Sequence, residues 1–303
     1  MQVDIEGLPD DAPELRLSAL LDQYRELREK RLENETKSKQ ASAGLLIIGL
    51  QQRLLSSIEA FARTLRVHRA TVQRQWDKAQ RESSDDPSVH PAQLTLLSSS
   101  VDRDDDRATL SEDELQAEED AQFEAASAAS AITSGQERAA ELFAQEQELL
   151  EQMTDVAETH RGRPDARIRK LFDWIRENMC PDLPGAGEQP SEPAAWNDTR
   201  VIIFTEWEAT KRYLEQQIGA AIEHTDRASQ RIAIFHGPTP LDKREEIKRA
   251  FNAPPQQTPR SLFDRNRRRP RRTEFAGPLL EPVSLRCSLE SKPHGAAQRP
   301  HRP

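Results

Sequence analysis

Apolar residues recur every three or four positions through most of the first eighty residues, which is the spacing of one face of an α-helix. In residues 14–34 this face carries Leu17, Leu20, Leu21, Tyr24, Leu27 and Leu32. The pattern is stronger in residues 43–80, where it comprises Leu46, Leu50, Leu54, Ile58, Phe61, Leu65 and Val72. Both stretches predict amphipathic helices that need a partner surface, and the second can be one helix or a pair.

The next eighty residues change from a loop pattern to a helical one. Ser, Asp and Pro dominate residues 82–112, which predicts a solvated acidic linker. A metal-binding role for this linker is the weaker alternative, because nothing fixes the geometry of the ligands. Ser111 followed by Glu114 fits a capping box. The Ala-, Glu- and Gln-rich stretch from there to His160 predicts exposed helix, broken near Gly135.

The hydrophobic period changes in the second half of the chain. An amphipathic helix pattern at residues 164–180 is followed by a loop rich in Pro and Gly. Two short apolar runs without alternation, 201–204 and 232–235, are typical of parallel strands covered on both faces. A helical pattern follows each run, at 207–223 and at 240–251. Strand, helix, strand and helix at this spacing predict an α/β fold with an open parallel sheet.

The composition limits how much of the chain can fold. Hydrophobic residues make up 35%, aromatic residues 5% and charged residues 31%, so long stretches cannot bury enough apolar surface to offset their ordering entropy. The formal net charge of −9 also conceals an asymmetry, since residues 260–303 contain eleven Lys or Arg and four Asp or Glu. We therefore expect a disordered basic tail at 260–303, attached to an acidic remainder.

Cysteines and apolar runs indicate the compartment. Cys180 and Cys287 are far apart and lack the spacing of a disulfide framework or zinc site, so a reducing, cytoplasmic location is expected. The N-terminus has no basic start followed by an apolar core, which argues against a secretory signal. The longest apolar run, Leu45–Leu50, is far shorter than the roughly 20 residues of a spanning helix. A soluble chain with no membrane partner is expected.

A resemblance to a known family is carried by two neighbouring strings, RVIIFTEWEATKRYLEQQI and RIAIFHGPTPLDKREEIKRAFN. They resemble the first half of the C-terminal motor lobe of Swi/Snf-type superfamily-two helicases, most of all the Swi/Snf-like helicase of the DISARM anti-phage system. Upstream, GLLIIGLQQRLLSSIEAFARTLRVHRATVQR resembles the helical region between the two lobes. The resemblance implies a helical inter-lobe region at 1–160 and a truncated second lobe, with a partial RecA-like parallel sheet, at 161–259.

The resemblance also implies nucleic-acid contacts at the fourth helicase motif. Thr205, Glu206 and Trp207 match this motif and follow a predicted strand, where open α/β sheets place their ligands. Thr205 and its neighbours would then lie against the DNA backbone. From the residue type alone, Trp207 can equally be a packing residue beneath the sheet.

His236, Gly237 and Arg244 match the following motif. There a glycine allows close backbone approach and a helix start can face a phosphate. The residues alone also allow His236 to be a turn residue, and Arg244 to pair with Asp242 or Glu245 on its own helix.

No complete ATP site is expected. Motors of this family use ATP and magnesium, which require a phosphate-binding loop, an acidic pair and an arginine from the second lobe. Gly44 and Gly49 have the outer spacing of such a loop, but Leu50 stands where its lysine must be. We therefore predict no catalytic or metal-binding residues in this chain. Its expected partners are DNA and the missing first lobe of the motor.

The tail suggests a reason for the truncation. With suitable synonymous codons, reading Asp264–Phe275 one base later gives IATDAAREGLNL, which resembles the fifth motif. The same shift at Lys292–Pro303 gives SRMEQRNGRID, which resembles the sixth. We therefore hypothesise a frameshift between Pro254 and Arg260. The alternative is a non-enzymatic helical interaction protein whose true basic tail binds DNA.

Overall fold

The computed structural model describes residues 8–33, 35–81, 111–130, 137–185, 192–235, 239–254, 257–258, 262–266 and 280–283. The helices are α1 Pro13–Leu32, α2 Lys37–Ser56, α3 Ile58–Arg81, α4 Glu112–Ala129, α5 Glu137–His160, α6 Ala166–Asn178, α7 Glu208–Ile222, α8 Ala228–Arg231 and α9 Leu241–Asn252. The strands are β1 Arg200–Thr205, β2 Ile232–Phe235, β3 Leu262–Asn266 and β4 Leu280–Val283.

Helices α1 to α5 pack around one apolar core, and we refer to them as the helical body. The predicted apolar faces of the first eighty residues point into this core, among them Leu17, Leu46, Leu50, Phe61 and Leu65. The stretch at 43–80 is a helix pair. Ser57 has an extended backbone between α2 and α3, and its hydroxyl accepts a hydrogen bond from the N–H of Ala60 at 3.0 Å.

The predicted capping box at the start of α4 is confirmed, but the expectation that this region is exposed is wrong. Ser111 and Glu114 exchange the two hydrogen bonds of the box. Phe123 of α4 is buried in the core, as are Leu150 and Met153 of α5. These helices have few large apolar residues, but helical spacing brings those few onto one face that the core covers.

A chain of hydrogen bonds crosses the interior of the helical body. The Ser127 hydroxyl donates to the carbonyl of Phe123 at 2.8 Å, so its oxygen accepts from Nδ1 of His68 at 2.9 Å. Nε2 of His68 then accepts from the Tyr24 hydroxyl at 2.7 Å. Burial lowers the pKa of His68 to about 3, which fits this neutral tautomer. The polar chain therefore fixes how α1, α3 and α4 face one another.

A second apolar core lies between α6, β1 and α7. Ile168, Leu171 and Ile175 of α6 pack with Val201 and Ile203 of β1 and with Leu214 and Ile218 of α7. The Asp165 carboxylate caps α6 by accepting from the N–H of Ile168 at 3.0 Å. This core is joined to the helical body, because a guanidinium nitrogen of Arg167 donates to the carbonyl of Leu54 at 2.9 Å.

The predicted fold class, α/β with a partial RecA-like parallel sheet and a disordered tail, is wrong. Most described residues lie in helices. The two strands predicted to form the sheet, β1 and β2, do not pair with each other. Instead β3 pairs in parallel with both, and β4 pairs in parallel with the other edge of β1, in the order β2-β3-β1-β4.

The physical reason for the correction is that an apolar strand pairs with whichever segment satisfies its backbone groups. Arg200–Thr205 finds its partners in segments 262–266 and 280–283, within the region predicted to be a disordered tail. The remainder of that tail, and residues 82–110 of the predicted linker, lie outside the described residues. Residues 111 and 112 of the linker belong to the start of α4.

Candidate nucleic-acid interface

The residues of the predicted fourth helicase motif lie where β1 ends and α7 begins. Thr205 ends the strand and is buried, Glu206 is exposed, and Trp207 is the N-cap residue of α7. The side chain of Trp207 makes no capping hydrogen bond to the helix. We call this segment, Thr205–Glu208, the strand–helix junction.

The Trp207 ring packs against the helical body. Arg53 of α2 places its guanidinium 4.0 Å from the centre of the indole and 4.9 Å from the ring of Phe123. Burial lowers the pKa of Arg53 to about 10. Only 7% of Trp207 is exposed. A DNA base would reach this ring only after Arg53 had moved, so the packing alternative accounts for the tryptophan in this conformation.

Hydroxyl groups fasten the first turn of α7 to the helical body. The Thr210 hydroxyl lies 2.7 Å from that of Ser56 and 3.0 Å from that of Ser57. A separate bond joins α6 to α1, since the backbone N–H of Ala166 donates to the carboxylate of Glu14 at 2.7 Å. The two hydroxyl contacts hold the first turn of α7, next to the strand–helix junction, against the boundary between α2 and α3.

Cations and carboxylates alternate around the start of α7. Lys211 is fully buried, and its ammonium lies 2.6 Å from a carboxylate oxygen of Glu112 and 2.8 Å from one of Glu208. Next to it, Arg212 contacts Asp113 at 2.7 Å and Glu208 at 3.2 Å. The partners Glu112 and Asp113 belong to the first turn of α4.

Glu119 of α4 contacts the N-terminus of α7. Its carboxylate accepts a hydrogen bond from the backbone N–H of Glu208, the first residue of that helix. Burial raises the pKa of Glu119 to about 7, while the charge of Arg53 and this hydrogen bond oppose the rise. An acidic side chain thus occupies the position at which helix N-termini bind anions.

The second predicted motif is described only in part. His236 and Gly237 lie outside the described residues. Arg244 is half-buried in the first turns of α9, and its Nε donates to the carbonyl of Thr239 at 2.6 Å. Glu245, one of the two partners considered for it, forms an ion pair with Lys248 at 3.1 Å. Thr205, Glu206 and Trp207 are therefore adjacent, and Arg244 lies on a different helix.

Sequence reasoning missed Arg53, Glu119 and Lys211, although all three are central to the junction. Each is a charged residue on a helix whose charged positions were expected to face solvent. A signal was present in the opposite charges of α4, which is acidic, and α3, which carries Arg63, Arg66, Arg69 and Arg74. Such complementarity shows that two helices can pair, but it does not give the register.

The two glycines with the outer spacing of a phosphate-binding loop lie within a helix. Gly44 and Gly49 lie inside α2, where backbone N–H groups bond within the helix, and Leu50 is buried in the core. No cluster of three His, Cys, Asp or Glu side chains suited to a metal occurs in the described part of the chain. Among the same residues, no helix is both long enough and apolar enough to span a bilayer.

In comparisons with protein-family models, with curated proteins and with solved structures, nothing matches this chain.

Proposed function

We propose that this chain is a piece of an ATP-dependent DNA helicase or translocase. In this proposal it supplies DNA-contacting surface and part of the second motor lobe, and it hydrolyses no ATP by itself. ATP, magnesium and the first lobe would come from the complete motor. The resemblance of the FTEW and HG motifs to Swi/Snf-type helicases motivates the proposal, with a parent in anti-phage defence as its context. A cytoplasmic location goes with it.

The observation that carries the proposal is the gathering of cations beside the N-terminus of α7 at the strand–helix junction. Lys211 and Arg212 lie one turn into α7, and Arg53 lies over its N-cap residue. Guanidinium and ammonium groups beside a helix N-terminus are features that bind phosphate oxygens. They do so without reading bases, as a motor that moves along any sequence requires.

A second candidate is the helical interaction protein with a basic DNA-binding tail. The helical body favours it, since five helices form a core that does not depend on the strands. Here DNA would bind to the arginines of residues 267–272, which lie outside the described residues. The two candidates place the same ligand on different parts of the chain.

Binding of a fluorescent DNA duplex, followed by anisotropy at several salt concentrations, separates the two candidates. One variant combines Thr205→Val with Arg244→Gln at the predicted motifs. The other replaces Arg267, Arg268, Arg269, Arg271 and Arg272 by Gln. We expect the first variant to weaken binding roughly tenfold, since each lost phosphate contact costs affinity, and the second to weaken it less. Loss of binding only in the arginine variant would favour the interaction protein.

A further inference from the structure

The N-terminal half of α4 covers the cations nearest the strand–helix junction. Glu112 contacts Lys211, Asp113 contacts Arg212 at 2.7 Å, and Asp120 contacts Arg63 of α3 at 2.9 Å. Three carboxylates of one helix thus meet three cations from two other helices. We call Arg63, Lys211 and Arg212 the cationic surface.

The three ion pairs alone hold this half of the helix weakly. Asp113 is 90% exposed and Arg212 is 38% exposed, and ion pairs in contact with water contribute little to stability. Lys211 is the exception, since its buried ammonium requires an anion beside it. Glu208 supplies one anion from its own helix, so an outside anion can take the place of Glu112.

The firm attachment of α4 lies in its C-terminal half. Phe123, Ala126 and Ser127 are buried there, and Ser127 belongs to the hydrogen-bonded chain through His68. The first turns contribute only Leu115 and Gln116 to the buried surface. Displacement of residues 112–120 would therefore leave the core of the helical body intact, as expected for local opening at a helix end.

Glu119 of the same helix lies at the N-terminus of α7. Its carboxylate accepts the hydrogen bond from the first N–H of α7, as a phosphate oxygen does at a helix N-terminus. The same helix therefore places one carboxylate at an anion-binding N-terminus and three more on neighbouring cations. Such a row of negative charges resembles the charges along one strand of DNA.

We propose that the cationic surface, together with the N-terminus of α7, binds the phosphate backbone of DNA, and that the acidic first half of α4 occupies this site in the absence of DNA. This inference rests on the proposed DNA-binding function. It adds that the acidic first half of α4 competes with DNA for the same site, so the affinity for DNA should rise when α4 loses its negative charges.

The test compares two triple variants with the same change in net charge. The first, Glu112→Gln with Asp113→Asn and Asp120→Asn, removes the carboxylates that meet the cationic surface. The control, Asp22→Asn with Glu148→Gln and Asp173→Asn, removes three exposed carboxylates on α1, α5 and α6. Circular dichroism establishes that both variants fold, and anisotropy with the duplex measures their affinities.

We expect the α4 variant to bind DNA roughly tenfold more tightly than the control, with a log–log salt slope steeper by about 0.9 for each cation released. Adding Arg63→Gln and Arg212→Gln to it should abolish the gain. Equal affinities of the α4 variant and the control would overturn the inference. If Thr205→Val with Arg244→Gln still weakened binding, the proposed function would stand.

Two further outcomes would also count against the inference. If no variant binds DNA even at low salt, the proposed function fails together with it. If polyglutamate of equal charge displaces DNA as effectively as unlabelled duplex does, the cationic surface recognises an acidic protein segment instead.

Discussion

Replacing Glu146 by Ala is expected to lower the free energy of unfolding by about 3–5 kcal/mol, the usual cost of removing one member of a buried ion pair. The Glu146 side chain is 0% exposed. One of its carboxylate oxygens lies 2.6 Å from Arg31 and 3.5 Å from Arg28, both of which are also buried. Without the carboxylate, two guanidinium groups would remain inside the helical body with no opposite charge beside them.

Equilibrium unfolding in urea measures this effect, with Glu148→Ala as the matched control. Glu148 is on the same helix but exposed, so its replacement should change stability by no more than about 0.5 kcal/mol. A loss below about 1 kcal/mol for Glu146→Ala would mean that water reaches the two arginines, contrary to the packing described above.

Replacing Trp207 by Ala is expected to lower the free energy of unfolding by about 3–5 kcal/mol, as for other buried aromatic side chains. The indole fills the space between the strand–helix junction and α2, beneath the guanidinium of Arg53. The variant should therefore loosen the contact between the helical body and α7 as well as lower overall stability.

Two comparisons make this result specific to the packing of Trp207. Trp207→Phe keeps a ring under Arg53 and should lose much less stability. In a double-mutant cycle, Arg53→Met and Trp207→Ala should show a coupling of about 0.5–3 kcal/mol, as contacting residues do. A Trp207→Ala variant as stable as the wild type, but deficient in DNA binding, would instead make Trp207 a direct DNA contact.

Local patterns predicted most of the helices but not how they assemble. The spacing of Leu46, Leu50 and Leu54 predicted both α2 and its buried face, and the Ser111–Glu114 pair predicted where α4 begins. The short helix α8 was not predicted. It follows Arg227, whose backbone is left-handed with φ 52°. Backbone conformations of this kind depend on surroundings that a single sequence does not contain.

The strand pairing and the junction charges could not be predicted for a related reason. Strand β1 was predicted correctly, but its partners come from an arginine- and proline-rich segment with no apolar periodicity. The burial of Lys211 and Glu146 depends on partners about 100 residues away in the first case and 115 in the second. A charged residue is predicted to be exposed unless the position of the helix that carries its ion-pair partner is known.

Resequencing the coding DNA from about codon 250 onward, together with its upstream flank, tests most directly the claim that the chain is a piece of a DNA motor. We predict that a one-base shift between Pro254 and Arg260 restores both later motifs, in the same frame and in the right order, and that a first lobe is encoded upstream. An intact frame that cannot be read in this way would contradict the claim. Residues 260–303 would then be a true basic segment, as the interaction-protein alternative requires.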